Sequence, residues 1–207
     1  MSGVLPQAQS EDDQPSDGRL LRGARTRSAI VRAYIELLGS GERAPRAEQI
    51  ARRAGVGIRT VYNQFRDLEG VRAEAGALVR AQIEQYVLRD VPRGASLEER
   101  LDLFTGGRVQ LLETLAPYAR SAQGRHEESA ELRRQRAALV EESEQELGLV
   151  FAPELARHGE RQRARILHAL HAASAWPAWS SLRDELGLGV AEAASVLRLT
   201  LAGLLRS

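Results

Sequence analysis

Glu48-Gln49-Ile50-Ala51-Arg52-Arg53-Ala54-Gly55-Val56-Gly57-Ile58-Arg59-Thr60-Val61-Tyr62-Asn63-Gln64-Phe65 reads as two short helices crossed at a glycine turn. Ile50, Ala51 and Ala54 share one side of the first helix, which opens at Ala47, and Ala51 is small where the second helix must cross. Gly55 ends the first helix in a turn that calls for a positive φ, a conformation glycine adopts without a Cβ penalty. Val56 plugs the turn into a core, and Val61 and Phe65, four apart, bury the inner face of the second helix. Ile58, Arg59, Thr60, Tyr62, Asn63 and Gln64 are left near the outer face, the side a recognition helix lays into the major groove of DNA. Arg59 has the chemistry to bridge guanine O6 and N7, and Asn63 to bridge adenine N6 and N7. Arg59 could equally hold a phosphate, and Asn63 could be an ordinary exposed helix position.

On the N-terminal side, residues 1–18 are rich in Ser, Gln, Asp and Pro and read as a disordered acidic tail without a signal-peptide pattern. Arg19, Arg22, Arg25 and Arg27 follow as a basic arm, of which Arg22, Arg25 and Arg27 are candidates for DNA backbone or minor-groove contact. Ile30, Val31, Tyr34, Leu37 and Leu38 recur at helical spacing until Gly39-Ser40-Gly41. On the other side, Asp67 is a candidate N-cap for a helix reaching about Arg89. Residues 91–95 read as a linker, and Ser96-Leu97-Glu98-Glu99 opens a capping box for a helix to about Leu115, weakened at Gly106-Gly107. Pro117 and Gly124 bound a further short element, Glu127 to Leu147 reads as a charged helix, and Pro153 starts a short turn of helix. Glu160–Ala175 and Val190–Leu205 are the last two helices. No alternating run suggests a strand, so the expected fold is all-α: 19–66 a three-helix helix-turn-helix unit, 67–207 a helical ligand-binding and dimerisation unit.

Bulk properties agree. Of 207 residues 43% are hydrophobic and only 4% aromatic, which favours helices over sheets. The net charge of +1 hides an asymmetry: Arg19–Arg66 holds 11 arginines against three glutamates, +8, while residues 1–18 carry −4 and 67–207 about −3. A compact basic segment on a mildly acidic remainder is the footprint of nucleic-acid binding, or simply a solvated basic face. Cysteine is absent, which excludes disulfides and thiolate chemistry and is compatible with the cytoplasm, the expected location. No apolar run is long enough to span a bilayer.

The segment from Ile30 through Leu38 and Gly41, with Ile50-Ala51, Ala54-Gly55-Val56, Thr60-Val61-Tyr62 and Phe65, resembles the tetracycline-repressor (TetR) family over about 50 residues. A weaker echo lies in Trp179, Leu182-Arg183, Gly187-Leu188 and Glu192-Ala193-Ala194, whereas about Pro92 to His158 matches no known pattern. The resemblance implies a homodimeric transcriptional repressor released from double-stranded operator DNA by a small-molecule effector. It also implies a phosphate contact from the Tyr62 hydroxyl, and a phosphate or thymine-methyl contact from Thr60. The chain departs from the family pattern at Arg46, Gly57, Gln64 and Leu68, where Ser or Thr, Ser, His and Lys are common.

For the second unit, Phe104, Arg108, Tyr118, His126, His168, His171 and Trp176 are the large or polar residues most able to line a ligand pocket. His168 and His171 lie three apart on a helix, but no third ligand accompanies them and no metal or cofactor is expected. Ile166, Leu170, Trp179, Val196, Leu197, Leu201 and Leu204 either build a four-helix interface with a second copy, as the resemblance implies, or close the protomer's own core. No phosphate-binding glycine loop, Gly-x-Ser-x-Gly elbow or His-Glu-x-x-His marks an enzyme. A dimeric DNA-binding regulator whose second unit only dimerises or binds a protein partner remains the alternative.

Overall fold

The computed structural model describes residues 15–122 and 130–206; the expected acidic tail therefore lies largely outside it, as does His126. Ten α-helices make up the described residues, with no strand among them. Helix α1 (Pro15–Gly39) enters with Asp17 and Gly18 already helical, four residues earlier than the arm read from sequence. Helices α2 (Ala47–Ala54) and α3 (Ile58–Gln64) follow the predicted hairpin. Gly55 sits at φ 68, ψ 31, and the turn closes with Gly55 N–H donating to Arg52 O and Val56 N–H to Ala51 O at 3.0 Å. Asp67 caps α4 (Leu68–Ile83), its carboxylate accepting from Gly70 N–H at 3.0 Å. Ile30, Val31, Tyr34, Ile50, Ala51, Val61, Phe65, Val71 and Ala75 form the core shared by α1 to α4.

Helix α4 stops six residues short of expectation. A 3-10 turn (Glu84–Tyr86) succeeds it, and Leu88 N–H then donates to the Glu146 carboxylate at 2.7 Å instead of to a helical carbonyl. Helix α5 (Leu97–Ala122) opens with the predicted capping box, Ser96 N–H donating to Glu99 at 2.8 Å and Glu99 N–H to the Ser96 hydroxyl at 3.3 Å. It runs through Gly106-Gly107, as expected, and on through Pro117, past the end expected near Leu115. At Gly107 a Cβ would lie 2.7 Å from Tyr86 O; the missing side chain lets α5 press against the chain leaving α4.

Helices α6 (Ala130–Val150), α7 (Ala152–Leu155), α8 (Glu160–Ser174), α9 (Trp176–Ser180) and α10 (Val190–Arg206) complete the second unit, α9 running on into a π turn at Ser181–Glu185. Leu101, Phe104, Leu112, Leu147, Phe151, Leu170, Trp179, Leu197 and Leu201 are the centre of its core, with Phe104 edge-on to Phe151 at 5.6 Å. Ile166, Leu170, Trp179, Leu197 and Leu201 are thus spent inside the protomer. Of the two readings open for them, an interface with a second copy or the protomer's own core, their burial in the core cluster favours the second. Val196 and Leu204 are half-buried. The two cores meet at Ile35, which packs against both.

Candidate nucleic-acid interface

The site is built on α3, whose burial pattern fixes its orientation. Val61 and Phe65 are 1% and 3% exposed and face the core that α3 shares with α1 and α2, whereas Tyr62 is 51% exposed one residue away. Ile58, Arg59 and Asn63 are exposed beside it, and Thr60 and Gln64 are half-buried at the flanks. Among the described residues Arg59, Tyr62 and Asn63 make no side-chain hydrogen bond or ion pair, so nothing within the protomer competes for them. Arg52 and Arg66, both exposed, add uncompensated positive charge, while Arg53 is held 3.4 Å from Glu36.

The basic arm divides. Arg22 and Arg25 are exposed on α1. Arg27 is not available in the same way: its Nε donates to Glu74 at 2.6 Å, another of its nitrogens to Gln64 O, and its guanidinium lies 3.9 Å from the centre of the Phe65 ring. It clamps the end of α3 to α1 and α4, a structural role that the reading of it as a DNA contact did not include. The sequence carried no sign of this, because the partner Glu74 lies 47 positions away.

The residues proposed for a ligand pocket differ in their surroundings. Phe104 is wholly buried in the core. Arg108 is buried with Glu146 at 2.6 Å, its guanidinium 4.9 Å from the Phe104 ring, and burial pushes the Glu146 carboxyl up and the Arg108 guanidinium down from their ordinary values. Tyr118 donates to Arg72 O at 3.2 Å, tying α5 to α4. His168 is exposed, 3.9 Å from Glu144, whereas His171 is half-buried with Nδ1 3.3 Å from the Ser143 hydroxyl. Trp176 lies under Arg120 at 5.5 Å. A surface hollow of about 570 Å³ at Pro92–Ala95, Glu99, Asp102 and Leu103 contains none of them. No group of three or more His, Cys, Asp or Glu able to hold a metal occurs among the described residues.

A second hollow, of about 490 Å³, was not foreseen. Tyr34 of α1, Arg46 and Glu48 at the start of α2, Tyr62 of α3 and Leu68 and Arg72 of α4 line it. The sequence marked Tyr34 only as a core position and Arg46 only as an unusual residue before a helix.

These elements define a two-part all-helical protein with a short outward-facing helix on a basic unit. No family model matches the chain, and no curated protein does. Among solved structures, a TetR transcriptional regulator from Rhodococcus sp. RHA1 is similar, at 17% identity over 89% of this chain and 97% of that one, with a TM-score of 0.47.

Proposed function

We propose that this chain is a sequence-specific DNA-binding transcriptional regulator, acting as a homodimeric repressor that a small-molecule effector releases from its operator. The observation that carries the DNA-binding reading is the pairing, on one seven-residue helix and its C-cap, of buried Val61 and Phe65 with unpartnered, outward Arg59, Tyr62 and Asn63. An α-helix fits the major groove, and side chains of this kind reach base edges and phosphates from it. Arg59 reads a base pair, Asn63 a second, and Tyr62 and Thr60 fix register on the backbone. Selection of bound sequences from random duplexes supplies the operator. On it Tyr62→Phe weakens binding across sequences, and Arg59→Ala also relaxes preference at one base pair, each by roughly 1–3 kcal/mol. Wild-type affinity in both variants means that α3 does not face the groove.

Release follows from a shift between two arrangements of the protomers, only one of which matches the half-site spacing. Helix α4 is the connection. It is capped at its start by Asp67, tied midway to α5 by Tyr118, paired to α6 through Arg80 and Glu142, and followed by the Leu88–Glu146 bond. Any molecule that moves α5 or α6 therefore acts on the helix that carries the DNA-binding unit.

A second reading, in which the second unit holds no sensor, is favoured by the burial of Phe104 and Arg108 inside its core. Thermal-shift measurement against a metabolite panel separates the two, because an effector that binds only the folded protein raises its stability by mass action.

A further inference from the structure

We propose that Glu11, Asp12 and Asp13 dock on the outward face of α1 over Arg22 and Arg25, as an intramolecular polyanion that DNA must displace. The competition with DNA rests on the DNA-binding reading above; the docking does not.

The receiving face is open and basic. With about 100° of rotation per residue, Leu21, Arg22 and Arg25 share about a third of the circumference of α1. They lie on the side opposite buried Ile30, Tyr34 and Leu37. Both arginines are exposed, and neither side chain has an ion-pair or hydrogen-bond partner among the described residues. Carboxylates of the same unit are committed elsewhere, Glu36 to Arg53, Glu42 to Gln49 and Glu74 to Arg27. Arg22 also points toward the acids. Its Nη1 lies 3.9 Å from where a Cβ would stand at Gly18, so the guanidinium is turned back along the helix toward Pro15. Leu20 and Leu21 beside it are 72% and 53% exposed.

Charge, composition and reach together select the occupant. Residues 1–14 carry these three acids, no lysine or arginine, and the apolar pair Val4-Leu5. A free anion would meet the arginines and leave the leucines bare, whereas this segment has groups for both. Asp13 and Glu11 stand two and four residues before Pro15, spans of at most ~7 and ~14 Å. Gly18, level with the Arg22 guanidinium, lies ~5 Å along the helix from Pro15, and Arg25 ~15 Å, within reach once both side chains are added. Exposed ion pairs are individually weak, but attachment through so few residues gives a local concentration on the order of millimolar. Duplex DNA offers a denser array of charge and displaces the acids. Their hold therefore lowers DNA affinity most at low salt and fades as salt screens the exposed charges.

The test uses the full chain and the variant Glu11→Gln/Asp12→Asn/Asp13→Asn. The chain has no cysteine, so Ser10→Cys takes a single nitroxide label in each. Without DNA, amide signals along α1 from Leu21 to Arg32 broaden more in labelled wild type than in the labelled variant, which gives the baseline for tethering alone. About 0.5 M salt removes the difference, and so does Arg22→Gln/Arg25→Gln. With a fluorescent mixed-sequence duplex at low salt, the variant without the three acids binds several-fold tighter than wild type, and its log affinity falls more steeply against log salt. That gain disappears in the Arg22→Gln/Arg25→Gln background, whereas a general effect of removing negative charge would persist there. Equal broadening in the two labelled chains overturns the docking. Unequal broadening with a gain that survives loss of both arginines overturns the competition. If wild type ignores duplex at low salt, the DNA-binding reading fails and the competition with it, and the broadening alone then decides the docking.

Discussion

His171 shows how one residue's surroundings become a measurable property. Burial lowers its pKa below the ordinary 6.5, nearby Arg108 and His168 act in the same direction, and Glu144 opposes them. The folded state therefore prefers the neutral ring, and unfolding takes up a proton at pH values between the folded and unfolded pKa. The contribution is present in full above the unfolded value and is lost as pH falls through the folded one. Replacing His171 with Gln, which cannot titrate, should make the wild-type advantage in Tm shrink as pH is lowered from above 6.5. A difference that stays constant across that range would show that the ring does not titrate differently in the folded chain. Arginine, in contrast, shows what residue-level reading misses. All 29 basic residues are arginine, yet Arg59 is free at the surface, Arg27 is stacked and doubly bonded, and Arg108 is buried with a carboxylate. Helical periodicity assigned Arg59 to the outer face because Val61 and Phe65, nearby in the chain, define the inner one. Arg27 and Arg108 take their roles from Glu74 and Glu146, 47 and 38 positions away, and no local pattern encodes such partners.

Elements were legible where their ends carry local chemistry. Gly55, Asp67 and the Ser96–Glu99 box mark helix ends in the sequence and do so in the structure. An error falls where packing overrides a local signal: α5 continues through Pro117 to Ala122, and the Gly106-Gly107 pair lies at its middle. The two glycines of that pair are physically unlike. A methyl group at Gly106 meets nothing within 4 Å, whereas at Gly107 it collides with Tyr86 O at 2.7 Å. Gly106→Ala should therefore raise stability by roughly 0.5–1 kcal/mol through helix propensity. Gly107→Ala should lower it by about 1–3 kcal/mol, because backbone and not a flexible side-chain end must move. Urea denaturation of both variants checks the pair. Equal effects would mean that α5 does not touch the chain leaving α4. Because that contact lies just beyond α4, Gly107→Ala is also the substitution most apt to disturb communication between the two units.

At the scale of the whole molecule, the DNA-binding reading proposed above raises the question of how one recognition helix would acquire enough specificity. A single α3 addresses few base pairs, and a two-fold dimer doubles the number at half-sites about 34–36 Å apart or a multiple of that spacing. With Leu170, Leu197 and Leu201 consumed inside the protomer, α8 and α10 can still offer a partner their outer faces. On α10 that face runs through Ser195, Leu199 and Gly203, and Leu199 is 73% exposed between two small residues that permit close helix approach. A single exposed leucine is ordinary on a monomer, but one flanked by small residues on an otherwise well-packed helix also suits the centre of an interface. Leu199→Arg should place a charge there at little cost to the protomer, whose core the side chain does not enter. Light scattering should then find wild type at twice 22.7 kDa and the variant at 22.7 kDa. Their melting curves should agree at high dilution, and the variant should lose affinity for a two-half-site operator while keeping affinity for a single half-site. A wild type that scatters as a monomer, or a variant that remains dimeric, would remove α10 as the contact surface, and specificity would then have to come from α3 and the α1 arm of one chain.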